Sequence, residues 1–359
     1  MKKITLLLCS ILLVFAACGP KDPIPQNDVT IGKGVFVINE GNFTYANSSL
    51  TFYNPTVDTV ENNLFYRVNG APIGDVGQSL TLLNGKLYIV VNNSNYIYKV
   101  DAGTIVCDTT KPYMVTGFVS PRYMLPVAPN KAYVSDLAGT NLWIVNPEDM
   151  TCTGSIDMGK STETMVLVGQ EVYVTNWSNT YVQDMEKNTV QVVDAVNDLK
   201  VAEIPVGKEP NGMVVDRNGQ VWVLCEGATW DAEPEQPSLW KIDPMTKQAT
   251  LMVEFAESTL NLAIDPTGSY LYYVSGGDWV TGGDLRRASI DNPAAEDSFV
   301  IPAEGRMFYK VFVNPNNGDI YLSDAKNYVT NGTVYRYSND GVQLGSFEAG
   351  ICPGYMLFN

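Results

Sequence analysis

The 359-residue chain contains no histidine. That absence excludes Ser-His-Asp and Cys-His nucleophile systems, imidazole acid–base catalysis and every His-ligated metal site. Basic residues are scarce: 23 Lys and Arg against 39 Asp and Glu leave a formal charge of −16. Such a surface repels nucleic acid, whose binding rests on neutralising phosphates, and serves solubility instead. Six cysteines are present and none has CxxC spacing, which removes the usual thiolate zinc and dithiol motifs. Past the first 20 residues no apolar run reaches the ~20 needed to span a bilayer. Carboxylate pairs are what remains for acid–base work, and no pair stands out. The expectation is a chain that is not an enzyme and has no prosthetic group.

The N-terminus has its own logic. Lys2 and Lys3 precede an apolar stretch, Ile4–Phe15, too short to cross a membrane, and Ala16-Ala17 lead into Cys18. This resembles a bacterial lipobox. It implies a signal peptide over residues 1–17, lipidation of Cys18 and anchorage in the outer membrane. Residues 18–30 read as a tether, since Gly19–Asp28 carries three prolines and little that can pack. Lys21-Asp22 loosely resembles a signal for display on the cell exterior. Loss of Lys2 and Lys3 with the leader makes the mature chain two units more negative.

The body, residues 31–359, repeats. An apolar run ending in a small or polar residue recurs as GVFVIN (Gly34–Asn39), KLYIVVN (Lys86–Asn92), AYVSD (Ala132–Asp136) and EVYVTN (Glu171–Asn176). It continues as QVWVLCE (Gln220–Glu226), YLYYVSG (Tyr270–Gly276) and DIYLSD (Asp319–Asp324). The aromatics in register are Phe36, Tyr88, Tyr133, Tyr173, Trp222, Tyr272 and Tyr321. Seven echoes spaced roughly 40–50 residues apart are the signature of a propeller. A further strand-like run follows each echo, often stopped by Asn-Pro or Asp-Pro, and another precedes most of them. The first echo has no preceding run, whereas GYMLFN at Gly354–Asn359 is such a run with no echo after it. The expected fold is all-β: a seven-bladed β-propeller of four-stranded antiparallel blades, closed by the C-terminal strand joining the N-terminal blade.

The loops between second and third strands share one face with the connections into the first strands. Two are short, Asn93–Asn95 and Leu137–Thr140. Five are long: Glu40–Ser48, Trp177–Asn188, Gly227–Pro237, Gly277–Gly283 and Ala325–Gly332. They carry Phe43, Tyr45, Trp177, Tyr181, Trp230, Trp279 and Tyr328, and the connections add Arg122, Asn211, Tyr309 and Tyr355. With Asn93 these are the candidate ligand-binding residues, because aromatics among Asn and Gly describe a broad, partly apolar surface. Asp278, Asp284 and Asp324 lack the spacing of a Ca²⁺ loop and are read as solvated carboxylates, so no metal site is expected. Cys107, Cys152, Cys225 and Cys352 are expected as buried free thiols, with a disulfide between Cys107 and Cys152, at equivalent places in adjacent repeats, as the alternative.

The -YV-(S/T)-(D/N)- pattern, with EVYVTN as its nearest literal match, resembles the YVTN-type repeats of bacterial seven-bladed propellers. The lipobox, the tether, VFVINEGN at Val35–Asn42 and the closing GYMLFN resemble one subgroup, the BtuG-like surface lipoproteins. That resemblance implies capture of cobalamin on the loop-bearing face and its transfer to an outer-membrane TonB-dependent transporter. Two other classes stay open from the residues alone: an adhesion or scaffold propeller binding a protein or glycan, and a metal- or quinone-dependent propeller enzyme.

Overall fold

A computed structural model describes residues 29–108, 112–113, 117–178, 186–278, 280–295 and 297–359. The lipidation candidate Cys18 and the loop aromatics Tyr181 and Trp279 lie outside the described residues. No helix among the described residues is long and apolar enough to cross a membrane.

Seven antiparallel sheets succeed one another along the chain. Blade I comprises Val35–Asn39, Ser49–Asn54 and Thr59–Glu61, with Pro353–Phe358 as its innermost strand. The register of that closing pair runs from Val35 opposite Phe358 to Asn39 opposite Pro353. Asn359 N–H donates to the Gly34 carbonyl at 2.9 Å and Glu40 N–H to the Cys352 carbonyl at 2.9 Å, fastening both ends of the seam. The two ends thus complete one sheet, as the unmatched runs require, and no open edge remains at the ring's junction.

Blades III to VII each have four strands, with innermost strands Pro121–Ala128, Met165–Val168, Pro210–Val215, Thr259–Ile264 and Phe308–Val313. Blade II departs from the repeat. Its sheet holds three strands, Gly77–Leu83, Lys86–Val91 and Tyr96–Asp101, and two isolated bridges, Val100 to Cys107 and Ile97 to Tyr113, stand where a fourth would run. A short helix, Leu64–Asn69, precedes it and buries Leu64, Phe65 and Val68 against the blade I–II core. Asn69 then donates from Nδ2 to the Ile105 carbonyl at 2.9 Å and accepts from Cys107 N–H at 3.0 Å. One helical turn and an amide side chain therefore hold the segment that elsewhere would lie in a ladder.

The seven aligned aromatics are all buried, and they pack between blades. Three of them are tied to the next blade through their hydroxyls, whereas Trp222 Nε1–H donates to Asp216 of its own blade at 2.9 Å and the buried Tyr321 hydroxyl has no hydrogen-bond partner among the described residues. Tyr88 O–H of blade II donates to the Pro147 carbonyl of blade III at 2.7 Å, and Tyr133 O–H of blade III to Asp198 of blade IV. Lys247 of blade V donates to the Tyr173 hydroxyl of blade IV at 3.0 Å. A large apolar body with one satisfied polar tip is what a buried Tyr or Trp needs. The repeated aromatic is thus the spacer that sets one blade against the next.

The four body cysteines are free, but only Cys225 and Cys352 are buried. Cys107 is half-buried and Cys152 exposed, because Cys152 lies on the outermost strand Thr151–Asp157, whose outer side has no neighbour.

Deleting residues 353–359 removes the inner strand of blade I. The shortened protein is expected to forfeit most of the roughly 5–15 kcal/mol that a folded domain holds in reserve. Thermal melting by circular dichroism, with size exclusion, should show a lost cooperative transition and aggregation; an unchanged melt would contradict the seam's role.

Candidate functional site

The innermost strands surround a central cavity of about 290 Å³, lined in part by Ser79, Thr81, Thr164, Asn211, Lys310 and Tyr355. Its mouth opens on the face where innermost strands begin and second strands end. In blades I, II, III, V, VI and VII the ladder between these two strands slips near that mouth. The slipped positions are Gly354, Gln78, Arg122-Tyr123, Asn211, Asn261 and Tyr309. A bulge frees a residue from the ladder and re-aims its side chain. The mouth is furnished by these residues.

Their partners form a chain around the ring. Ser79 and Thr81 Oγ donate to the Arg122 and Met124 carbonyls of the next inner strand at 2.6 and 2.7 Å. The Arg122 guanidinium pairs with the fully buried Glu163 at 2.8 Å, donates to Gln78 Oε1 at 2.7 Å and lies 5.8 Å from the Trp177 ring. Trp177 Nε1–H and Asn211 Nδ2–H donate to the two oxygens of Glu226 at 3.2 and 2.7 Å. Asn261 Nδ2–H donates to the Tyr309 carbonyl at 2.7 Å, and Tyr309 O–H reaches both oxygens of Glu40 at 2.9 Å. Glu40 crosses directly above Gly354, where a Cβ would stand 2.1 Å from its Oε1. Only glycine leaves that carboxyl its place.

Two carboxyls at the mouth are short of compensating charge. Burial pushes Glu40 above the usual carboxylate range, against the pull of Lys310, the Tyr309 hydroxyl and Arg122. Burial likewise raises Glu226, opposed by the Asn211 donor, Lys310 and the Trp177 donor. Lys310 acts on both, yet forms no ion pair or side-chain hydrogen bond with any described residue. Its ammonium instead stands 5.2 Å from the Tyr309 ring centre.

Of the candidates read from sequence, Arg122, Trp177, Asn211 and Tyr309 converge on this mouth, and Tyr355 lines the cavity below it. Tyr328 stands edge-on to Tyr309 with centroids 5.8 Å apart, its carbonyl accepting from Asn42 Nδ2–H at 2.6 Å. Phe43, Tyr45 and Trp230, on the outer loops of that side, are 64%, 74% and 71% exposed. Asn93 does not point to the mouth as a free donor: with Thr44 N–H it is bound to Asp75 and clamps the Phe43–Tyr45 loop. The Trp230 loop is pinned by Lys187 and Lys208, which pair with Asp231 at 3.5 and 3.4 Å.

Sequence reasoning missed Glu40, Gln78, Tyr123, Glu163, Glu226 and Lys310. For two of them a signal existed: Glu40 and Glu226 stand four residues past the aligned aromatic, the place held by Asn92 and Trp177 in blades II and IV. Asp278, Asp284 and Asp324 do not converge; each is committed to backbone N–H groups, of Val280, Ala303 and Met307 respectively. Among the described residues no three acidic or thiol side chains gather to hold a metal.

Fold and mouth together define a seven-bladed β-propeller with a polar, charge-bearing opening on one face. The profile of the family described as "Domain of unknown function (DUF5074)" matches residues 33–349, and the chain belongs to that family. No curated protein matches the sequence. Among solved structures it is similar to a quinonprotein alcohol dehydrogenase-like protein from Bacteroides thetaiotaomicron, at 16% identity and TM-score 0.69, covering 92% of this chain and 79% of that one. It is similar to the periplasmic gluconolactonase of Pseudomonas aeruginosa at 12% identity and TM-score 0.63, covering 90% and 99%. Hydrazine synthase of Kuenenia stuttgartiensis matches at 14% identity and TM-score 0.54, covering 78% and 88%. At such identities the likeness shows the fold alone. It still overturns the expectation that the chain is not an enzyme, since propellers bearing these enzyme names share the architecture.

Replacing Glu40 by Gln removes a half-buried carboxyl whose folded-state pKa is raised. A raised carboxyl favours folding below its unfolded value, near 4.5, and that contribution is lost as pH rises through the folded value. Glu40→Gln is therefore expected to raise the melting temperature at pH 8 by roughly 1–3 °C, with the gain vanishing near pH 4. Melts across that range check it; a gain independent of pH would contradict the assignment.

Proposed function

We propose that the protein is a lipid-anchored surface receptor, tethered through Cys18 by residues 18–30. In this reading it captures a corrinoid such as cobalamin on the loop-bearing face and passes it to an outer-membrane TonB-dependent transporter. The observation that carries the reading is the exposure of three rings, Phe43, Tyr45 and Trp230, on loops that leave the blades on the same side as the polar mouth. Large exposed apolar groups on clamped loops mark an interaction surface, and rings beside amide and carboxyl groups suit a ligand with apolar edges and a polar fringe. A corrin ring with its border of amides is such a ligand. The cavity is too small to swallow the ring, so the corrinoid would rest across the rim with only an edge group entering the mouth. Absence of histidine leaves the cobalt's own lower base in place.

Purified protein mixed with cyanocobalamin and desalted is expected to stay pink in equimolar ratio, with Tyr45→Ala and Trp230→Ala each weakening binding about tenfold. Colourless wild-type protein would contradict the reading.

A second reading is favoured by the raised carboxyls. Glu40 and Glu226 keep protons to higher pH than exposed acids do, and a carboxylic acid at a cavity mouth is a general-acid candidate. Lactone hydrolysis and alcohol oxidation are the reactions to screen. A rate abolished by Glu226→Gln would support this reading, whereas no rate in either assay would count against it.

A further inference from the structure

The unexplained feature of the mouth is its unspent bonding capacity. Glu40 is seated over Gly354 by the Tyr309 hydroxyl, and Glu226 is held by Asn211 and Trp177. Each carboxyl retains acceptor capacity, because a carboxylate has about four lone-pair sites. Lys310 lines the same cavity with three N–H donors and no hydrogen-bonded partner among the described residues. In blade III, Arg122 is consumed by Glu163 and Gln78, so it does not compete for a ligand. A free anion would be drawn to Lys310 but repelled by Glu40, Glu226 and the chain's charge of −16. A free cation would meet the reverse conflict. A neutral group that accepts on one side and donates on the other satisfies both sets.

We infer that the mouth is a primary-carboxamide subsite, in which Lys310 donates to the amide carbonyl while Glu40 and Glu226 accept from its NH₂. This rests on the capture reading for the identity of the whole ligand, and it names the part of a corrinoid that enters: one amide arm of the ring's border. The subsite distinguishes amide from carboxylate, because an acid in the same place would lose both donors and face two carboxyls.

The test compares cyanocobalamin with its monocarboxylic acids, in which one side-chain amide is hydrolysed. Wild-type protein is expected to bind the amide form at least about tenfold more tightly than the acid form that places its carboxylate in the mouth. Glu40→Gln should shrink that ratio, and Lys310→Gln and Lys310→Met should weaken the amide form about tenfold, with melts confirming that each variant folds. Equal affinity for cyanocobalamin and every monoacid would overturn the subsite while leaving capture standing. Should wild type bind no corrinoid, the subsite is read without it, by ¹⁹F NMR of protein labelled with 5-fluorotryptophan. The Trp177 resonance, assigned with Trp177→Phe, should move on titration with propionamide, stay put with propionate and lose its response in Lys310→Met. A resonance indifferent to propionamide would overturn the proposal.

Discussion

Everything in this molecule depends on one antiparallel seam, Val35–Asn39 against Pro353–Phe358. Blades are wedge-shaped sheets that bury their faces against neighbours, so a row of seven holds its shape only when the seventh meets the first. The seam also builds part of the site. Its irregularity beside Asn39 places Gly354 under Glu40, and Tyr309 of the last blade reaches across the junction to hold that carboxyl. Closure and site assembly are one event.

Two kinds of residue keep the wheel regular. Buried aromatics space the blades, and small polar side chains on the innermost strands tie one strand to the next, as Ser79, Thr81 and Asn261 do. The mouth interrupts this regularity. Where the ladder slips, Arg122, Tyr123 and Tyr309 join glycine and amide side chains, and pairs such as Arg122 with Glu163 sit in surroundings that make removal of one partner costly. A stable ring affords this irregularity at one end, consistent with local rules being broken where a protein works.

The architecture was legible because a buried aromatic must recur at every blade, and Phe36 through Tyr321 do so. Ring closure was legible from two unmatched ends. The helix Leu64–Asn69 was not: three apolar residues in a single turn make no periodic signal. Nor were the bulges, since slippage of a ladder leaves no mark on composition. The aromatics Phe43, Tyr45 and Trp230 could be read as loop residues, whereas Glu40 and Glu226 were not singled out, standing at strand ends where acidic residues are commonplace. Their half-buried setting at the channel mouth makes them unusual, and that setting is made by strands from across the ring.

The central claim is that closure gathers segments distant in sequence into one ligand-bearing mouth. Hydrogen exchange read by mass spectrometry, with and without cyanocobalamin, tests it most directly. The account predicts joint protection of residues 40–48, 209–211, 226–237 and 307–310, with the opposite-face turns at 147–150, 194–198 and 244–247 unchanged. Protection confined to a single segment, or falling on those turns, would contradict it.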